Sequence, residues 1–384
     1  MKQKTKIFII VSIISVSFGG FVFSVESQKK SPVLSPPSTQ ISGRTDTAKK
    51  QSTTVKIEKS TSSSSAKKTK VAKSSDQPII TSPKHQQIKQ LAATEYTYRI
   101  FAMPNDPLAS SAWTLQKVNA PTAWNSVTGN DQTIVAVIDG GFALAHQDLG
   151  SQWYGNPGET GTTQSGDTCW TGSPANKQSN ACDDDANGYV DDHRGWSFAL
   201  EDNNPQAGRE NPTGNGVTHG TQVAGQVGAT GNNGLGSTAI NWHTKIMPLQ
   251  ALNDEGIGFI SDVFAAVYYA VDNGADVINI SLGTFSDDPL LRTAVNYAVG
   301  SGVVVVAASA NCGDGDPESC QGAPAGTIAY PAMYPNVIAV GATTESDQRA
   351  SFSSYGPALD VVAPGSGTGI SPSWSAVNQT SLYT

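Results

Sequence analysis

The sequence predicts an α/β fold: a three-layer α/β/α arrangement with a mainly parallel central sheet, preceded by a disordered arm. Three observations carry this. From about residue 96 onward short β-branched runs alternate with helical stretches; Gly, Asn and Asp separate them; and several runs are apolar without alternation. Unbroken apolar runs belong to strands buried on both faces, and strand–helix alternation at this spacing lays helices over both sides of a parallel sheet.

The elements follow in order. Residues 133–138, Thr-Ile-Val-Ala-Val-Ile, read as a buried strand. Residues 217–229 have helical character after a Gly-rich start, 246–252 read as a strand and 260–272 as a helix. Then come a strand at 276–281, a helix at 289–299 and a strand at 303–308, with two further strands at 337–341 and 359–363. No internal repeat is present. In such a sheet, sites form at the carboxyl ends of the strands.

The preceding hundred residues differ in kind. Residues 1–100 carry 17 Lys+Arg and 5 Asp+Glu, leaving 7 and 27 of the totals of 24 and 32 for residues 101–384. A basic arm therefore precedes an acidic body. The body does not suit nucleic acid, whose phosphates call for Lys and Arg. It does suit divalent cations. Lys2, Lys4 and Lys6 followed by the apolar run 7–23 read as an export signal, with Val22 and Ser24 framing a cleavage site. An uncleaved anchor is the other reading, because seventeen apolar residues sit at the short limit for a span. The domain division is thus signal or anchor at 1–25, linker at 26–95 and folded domain at 96–384. The linker is rich in Ser, Thr and Lys and too poor in large apolar residues to offset its ordering entropy. Its lysines also suit an anionic cell-envelope surface. Four cysteines fall as two local pairs, Cys169 with Cys182 and Cys312 with Cys320, which in an exported chain favours two disulfides over metal thiolates.

Three residues stand at strand or helix ends where chemistry would sit. Asp139 follows the strand at 133–138 and precedes Gly140 and Gly141; alone it also suits a turn. His219 opens a small-residue helix, where it can act as a general base or simply lie near a cap. Asn311 ends the run that starts at Val303, where its amide can donate to an oxyanion or merely form a turn. Separately, Asp183-x-Asp185-x-Asn187-Gly188-Tyr189-x-Asp191 has the spacing of an EF-hand-type calcium loop, with Arg194 where the closing Glu would stand. An acidic surface turn is the alternative.

Taken together, Val-Ile-Asp139-Gly-Gly, His219-Gly-Thr-Gln-Val-Ala-Gly and Val-Ala-Ala-Ser-Ala-Asn311 resemble, in order and spacing, the subtilisin-like serine proteases. So do Ala120-Pro-Thr-Ala-Trp124, His146-Gln-Asp-Leu149, Asn279-Ile-Ser-Leu-Gly283, Tyr330-Pro-Ala-Met-Tyr-Pro335, Ser353-Ser-Tyr-Gly356 and Val361-Val-Ala-Pro-Gly365. The resemblance spans about residues 100–365. It implies an endopeptidase acting on polypeptide substrates through a Ser-His-Asp mechanism. In that mechanism Asp139 orients His219, His219 moves the proton, and Asn311 joins the oxyanion hole. Ser281, Leu282 and Gly283 would pair with extended substrate, and Ala307, Ala308 and Ala329 would line the pocket for the residue before the scissile bond. The resemblance also implies a structural Ca2+ held by Asp106, Asp148 and Asn233.

The sequence departs from the family pattern in three places. The family's Gly-Thr-Ser motif does not occur, so the nucleophilic serine is expected beyond the end of this chain. The chain alone is then expected to be inactive and to expose an apolar face that a further helix would cover. Gly140 stands where a hydroxyl residue usually supports the Asp, and Gln222 stands where His usually follows His-Gly-Thr. The rival expectations are a catalytically inactive peptide-binding or scaffold module and an envelope adhesion protein.

Overall fold

The computed structural model describes residues 103–366, 372–375 and 380–383. The export signal or anchor and the linker expected at 1–95 lie outside the described residues.

Seven strands form one parallel sheet: β1 (Gly129–Asp139), β2 (Trp196–Ser197), β3 (His243–Gln250), β4 (Val277–Ile280), β5 (Val304–Ala308), β6 (Ile338–Thr343) and β7 (Val361–Pro364). Their spatial order is β2-β3-β1-β4-β5-β6-β7. The chain leaves β1 toward β3 and then works in the opposite direction through β4 to β7. Because crossovers between parallel strands are right-handed, reversing direction places the connecting helices on opposite faces. That is the origin of the three layers, and the reversal beside β1 is the switch point where such sheets bind ligands.

The first two helices, α1 (Trp113–Lys117) and α2 (Ala120–Ala123), precede the sheet. One face of the sheet is covered by α3 (His219–Gly228), whose Val223 and Ala224 join Val135, Val137 and Ile246 in a buried cluster. The other face carries α4 (Ile260–Asp272) and α5 (Pro289–Gly300). Buried residues recur at Val263, Ala266, Val267 and Ala270 in α4, and at Leu291, Ala294, Val295 and Ala298 in α5. This is the i, i+3, i+4, i+7 stripe of a helix with one apolar face. They pack on Ala136, Ile138, Ile278 and Ile280. Each Val, Leu or Ile among them contributes about 1.5–3 kcal/mol by leaving water, and each Ala less. Asp288 caps α5 by accepting from the N–H groups of Leu290 and Leu291, and Pro289 occupies the first turn, where its missing N–H costs nothing. A short helix α6 (Pro317–Cys320) and a hairpin of β8 (Pro372–Ser375) with β9 (Thr380–Tyr383) complete the described elements, β8 lying beside α3.

Both expected disulfides form, Cys169–Cys182 and Cys312–Cys320. No helix among the described residues is long and apolar enough to cross a membrane.

Candidate active site

β1 delivers Asp139 to the carboxyl edge of the sheet, opposite Gln250 of β3, with its side chain fully buried. Its carbonyl accepts from the N–H groups of Ala251 at 2.8 Å and Leu252 at 3.2 Å, which fixes the strand end. The chain then turns through Gly140 and Gly141. The start of α3 sits directly on this turn: a Cβ at Gly220 would stand 2.7 Å from the Gly141 carbonyl oxygen and 2.8 Å from that of Gly140. Glycine after His219 is therefore what lets the helix start approach the strand end. Thr221 Oγ1 holds the contact by accepting from the Ala143 N–H at 2.9 Å.

The outcome is a 2.7 Å hydrogen bond between His219 Nδ1 and Asp139 Oδ1. Burial alone would lower the His219 pKa, but the Asp139 charge and hydrogen bond outweigh it and hold the imidazole above the usual histidine range. Asp139 Oδ1 also accepts from the Gly140 N–H at 2.7 Å, whereas the buried Oδ2 has no hydrogen-bond partner. The missing hydroxyl at Gly140 thus has a visible counterpart, one unpartnered carboxylate oxygen.

Asn311 follows β5 at the same edge of the sheet, with only β4 between β5 and β1. Ala310, immediately before it, holds a φ of +91°, a conformation that costs a residue with a Cβ about 1–3 kcal/mol. The Ala310 carbonyl accepts from the Ser354 N–H at 3.0 Å, the Cys312 N–H donates to Ser354 Oγ at 3.2 Å, and Cys312 is bridged to Cys320. Asn311 is thus pinned on both sides. Ser281, Leu282 and Gly283 continue from β4, half-buried. A Cβ at Gly283 would lie 3.0 Å from that of Ala329, whose N–H donates to the Ser309 carbonyl at 3.1 Å. These segments therefore meet. Ala308 is half-buried, while Ala307 is fully buried in the core cluster with α4 and α5.

The three residues implied for calcium also come together. Asp106 accepts from the N–H of Asn232 at 2.6 Å and of Asn233 at 3.4 Å, and Asp148 accepts from Asn233 Nδ2 at 2.7 Å and the Ser237 N–H at 3.1 Å. Both carboxylates are buried, and burial raises the Asp106 pKa despite its backbone donors. Two buried carboxylates and a side-chain amide offer the oxygen chemistry calcium takes.

The acidic loop is arranged differently from its sequence spacing. Asp183 accepts from the N–H groups of Asn187 at 3.2 Å and Gly188 at 2.7 Å, and Asp191 from those of Asn180 at 3.0 Å and Ala181 at 3.2 Å. These two carboxylates close the loop on itself. Asn187 donates from Nδ2 to Asp192 Oδ2 at 3.0 Å, while its Oδ1 accepts from the Tyr189 N–H at 2.8 Å. Asp185 instead groups with Glu159 and Asp192, with one oxygen of each within 4.8 Å of the others. The sequence reading missed Glu159 and Asp192. Asp192 adjoins Asp191 and could have been weighed; Glu159 carries no local signal, being brought in by its acceptance of the Asp184 N–H at 2.6 Å.

A histidine held through Nδ1 by a buried carboxylate, at the carboxyl edge of a parallel sheet, is the acid–base arrangement used by nucleophilic hydrolases. The family model described as the Subtilase family matches residues 130–383. Thermitase of Thermoactinomyces vulgaris is 34% identical over 264 residues, 68% of this chain and 74% of that protein. The thermophilic serine proteinase of Bacillus sp. (strain AK1) is 46% identical over 147 residues, which cover 38% of this chain and 34% of that protein. Subtilisin E of Bacillus subtilis (strain 168) is 43% identical over 155 residues, 40% of this chain and 39% of that protein. The chain therefore belongs to the subtilase family of subtilisin-like serine proteases, although it spans well under half the length of some of these relatives.

Proposed function

We propose that this protein is a serine endopeptidase hydrolysing peptide bonds by a Ser-His-Asp mechanism. Asp139 orients His219 and stabilises its protonated form. His219 takes the proton from a serine hydroxyl as it attacks the peptide carbonyl, then gives it to the leaving amine. Asn311 joins a backbone N–H in stabilising the oxyanion, a donor whose loss elsewhere costs about 3–4 kcal/mol. Residues 281–283 receive extended substrate as an added strand. Ala308 and Ala329 offer the small side chains that the pocket beside Asn311 needs. Of the six substrate-binding positions assigned from sequence, the fully buried Ala307 supports the pocket from behind, through the core.

The observation that carries this reading is the 2.7 Å contact between His219 Nδ1 and Asp139 Oδ1. Calcium at Asp106, Asp148 and Asn233 would tie the start of the folded domain to the loop at 232–237. By the same reading the chain is exported, with a signal or anchor at 1–25, a linker at 26–95 and the peptidase domain at 96–384.

A fluorophosphonate probe tests the proposal. Stoichiometric labelling of one serine in the full-length protein, abolished by His219→Ala, is the expected result, and mapping the label identifies the nucleophile. A folded full-length protein that binds peptides without taking the label would overturn it in favour of an inactive peptide-binding module.

A further inference from the structure

The protease reading leaves unused the long segment between β1 and α3, which holds the densest group of carboxylates among the described residues. Glu159 and Asp192 are both fully shielded from solvent, and Asp185 is exposed at the mouth. Glu159 places Oε1 on the Asp184 N–H at 2.6 Å, but its buried Oε2 has no hydrogen-bond partner. A buried carboxylate oxygen with no donor, among other carboxylates, is a costly arrangement unless a cation or a proton neutralises it. Among the described residues no Lys, Arg or His forms an ion pair with any of the three: Lys177, which lies nearby, pairs with Asp167 and Asp184.

The surroundings hold the carboxylates together against their repulsion. Asn156 Nδ2 bridges them, donating to Asp185 Oδ2 at 2.9 Å and Asp192 Oδ1 at 2.8 Å. Asp192 Oδ2 accepts from the Tyr269 hydroxyl at 2.5 Å, which joins the segment to α4. Gly158 leaves the space into which the Asp185 carboxylate fits, since a Cβ there would stand 2.4 Å from Asp185 Oδ2.

We propose that Glu159, Asp185 and Asp192 bind one calcium ion, at a site separate from Asp106, Asp148 and Asn233. The donors are all oxygens, which excludes the nitrogen and sulfur sets that zinc prefers. Oxygens about 2.3–2.6 Å from one calcium ion stand at most about 5 Å apart, which accommodates a group lying within 4.8 Å. The loop at 183–191 thus works as a scaffold. Its Asp183 and Asp191 shape the backbone, and the ligands come from Asp185, the following Asp192 and the distant Glu159. The ion would fasten the segment between β1 and α3 to α4, independently of whether the protein cleaves peptides.

Terbium luminescence tests this, because Tyr154, Tyr189 and Tyr269 lie close enough to Asp192 for its charge to act on all three hydroxyls. The full chain is stripped with chelator and titrated with Tb3+ under tyrosine excitation. The expected result is emission that Ca2+ displaces, weakened at least tenfold in affinity by Glu159→Gln and retained in Asp148→Asn. Glu159→Gln keeps an acceptor for the Asp184 N–H. Should it fail to fold by circular dichroism, Asp185→Asn at the exposed position gives the same tenfold test. Emission unchanged in these folded variants, or absent from the folded parent, would overturn the proposal.

Discussion

Asp139→Asn is the substitution that tests the site most directly. Asp139 Oδ1 receives two donors, the His219 ring at 2.7 Å and the Gly140 N–H at 2.7 Å, so the asparagine carbonyl must occupy that position. Its NH2 then falls where Oδ2 lies buried without a partner. An unsatisfied buried donor costs about 1–3 kcal/mol, which is the expected loss of folding stability. The loss for catalysis is larger. A carboxylate and an imidazolium with charge centres about 4 Å apart, at an effective dielectric of about 20, attract by ~4 kcal/mol, or roughly a thousandfold in rate. The expected kcat/KM of the full-length protein on a chromogenic peptide therefore falls about 10³-fold. The His219 ring, followed by NMR, should titrate at lower pH than in the parent. The sign of the pH effect follows from the raised His219 pKa in the folded protein. Its stabilising contribution is complete below the unfolded value near 6.5 and is lost as pH rises through the folded value. The parent's stability advantage over Asp139→Asn should therefore be larger at pH 6 than at pH 9. A variant whose His219 titrates as in the parent, or whose activity falls less than tenfold, would refute the assignment of this pair.

Three other perturbations follow from the same geometry. Gly220→Ala puts a Cβ against two backbone oxygens at 2.7 and 2.8 Å, so α3 must move away from Asp139; activity should fall at least a hundredfold and the melting temperature should drop, measured together on the full-length protein. Removing the Cys312–Cys320 bridge, whose cysteines are 8 residues apart, by replacing both with Ser should cost about 2.5 kcal/mol on the chain-entropy estimate, read from denaturant curves of parent and variant without reductant. Chelating calcium should lower the melting temperature and speed proteolytic nicking near residues 103–108; at a hundredfold excess of ion over Kd the stabilisation lost is about 2.7 kcal/mol. Asp148→Asn should remove the nicking response near 103–108 while leaving the part of the melting-temperature loss that belongs to Glu159, Asp185 and Asp192.

The sheet and its helices were legible because their signals are local. The apolar stripe of α4 gave its bounds, 260–272, as the structure has them. β1 begins earlier than its apolar run, at Gly129, because that residue pairs with His243 across the sheet, a relation no short window contains. β2 was missed for the same reason: Trp196 and Ser197 are a strand only because Leu249 and Gln250 lie beside them. At the site, the consequence of Gly140 could be foreseen from the hydroxyl it lacks, and it emerges as the unpartnered Asp139 Oδ2. The positive φ of Ala310 could not, since it is imposed by Ser354 and the disulfide rather than by alanine itself. In the acidic loop, ligand spacing alone did not reveal that Asp183 and Asp191 would turn to their own backbone.

The place of β1 in the sheet has a consequence for how the chain is made. This central strand finishes at Asp139, yet its neighbours β3 and β4 end only at Gln250 and Ile280. At about 5–20 residues per second, the ribosome needs roughly 7–28 seconds to travel from the end of the first to the end of the last. For that interval the run Val135–Ile138, among the most deeply buried residues of the finished protein, has no strand to pair with on one side or the other. The nascent chain is therefore most vulnerable to sticking to its neighbours through the very segment that later carries Asp139, and whatever escorts it during synthesis must shield that segment first.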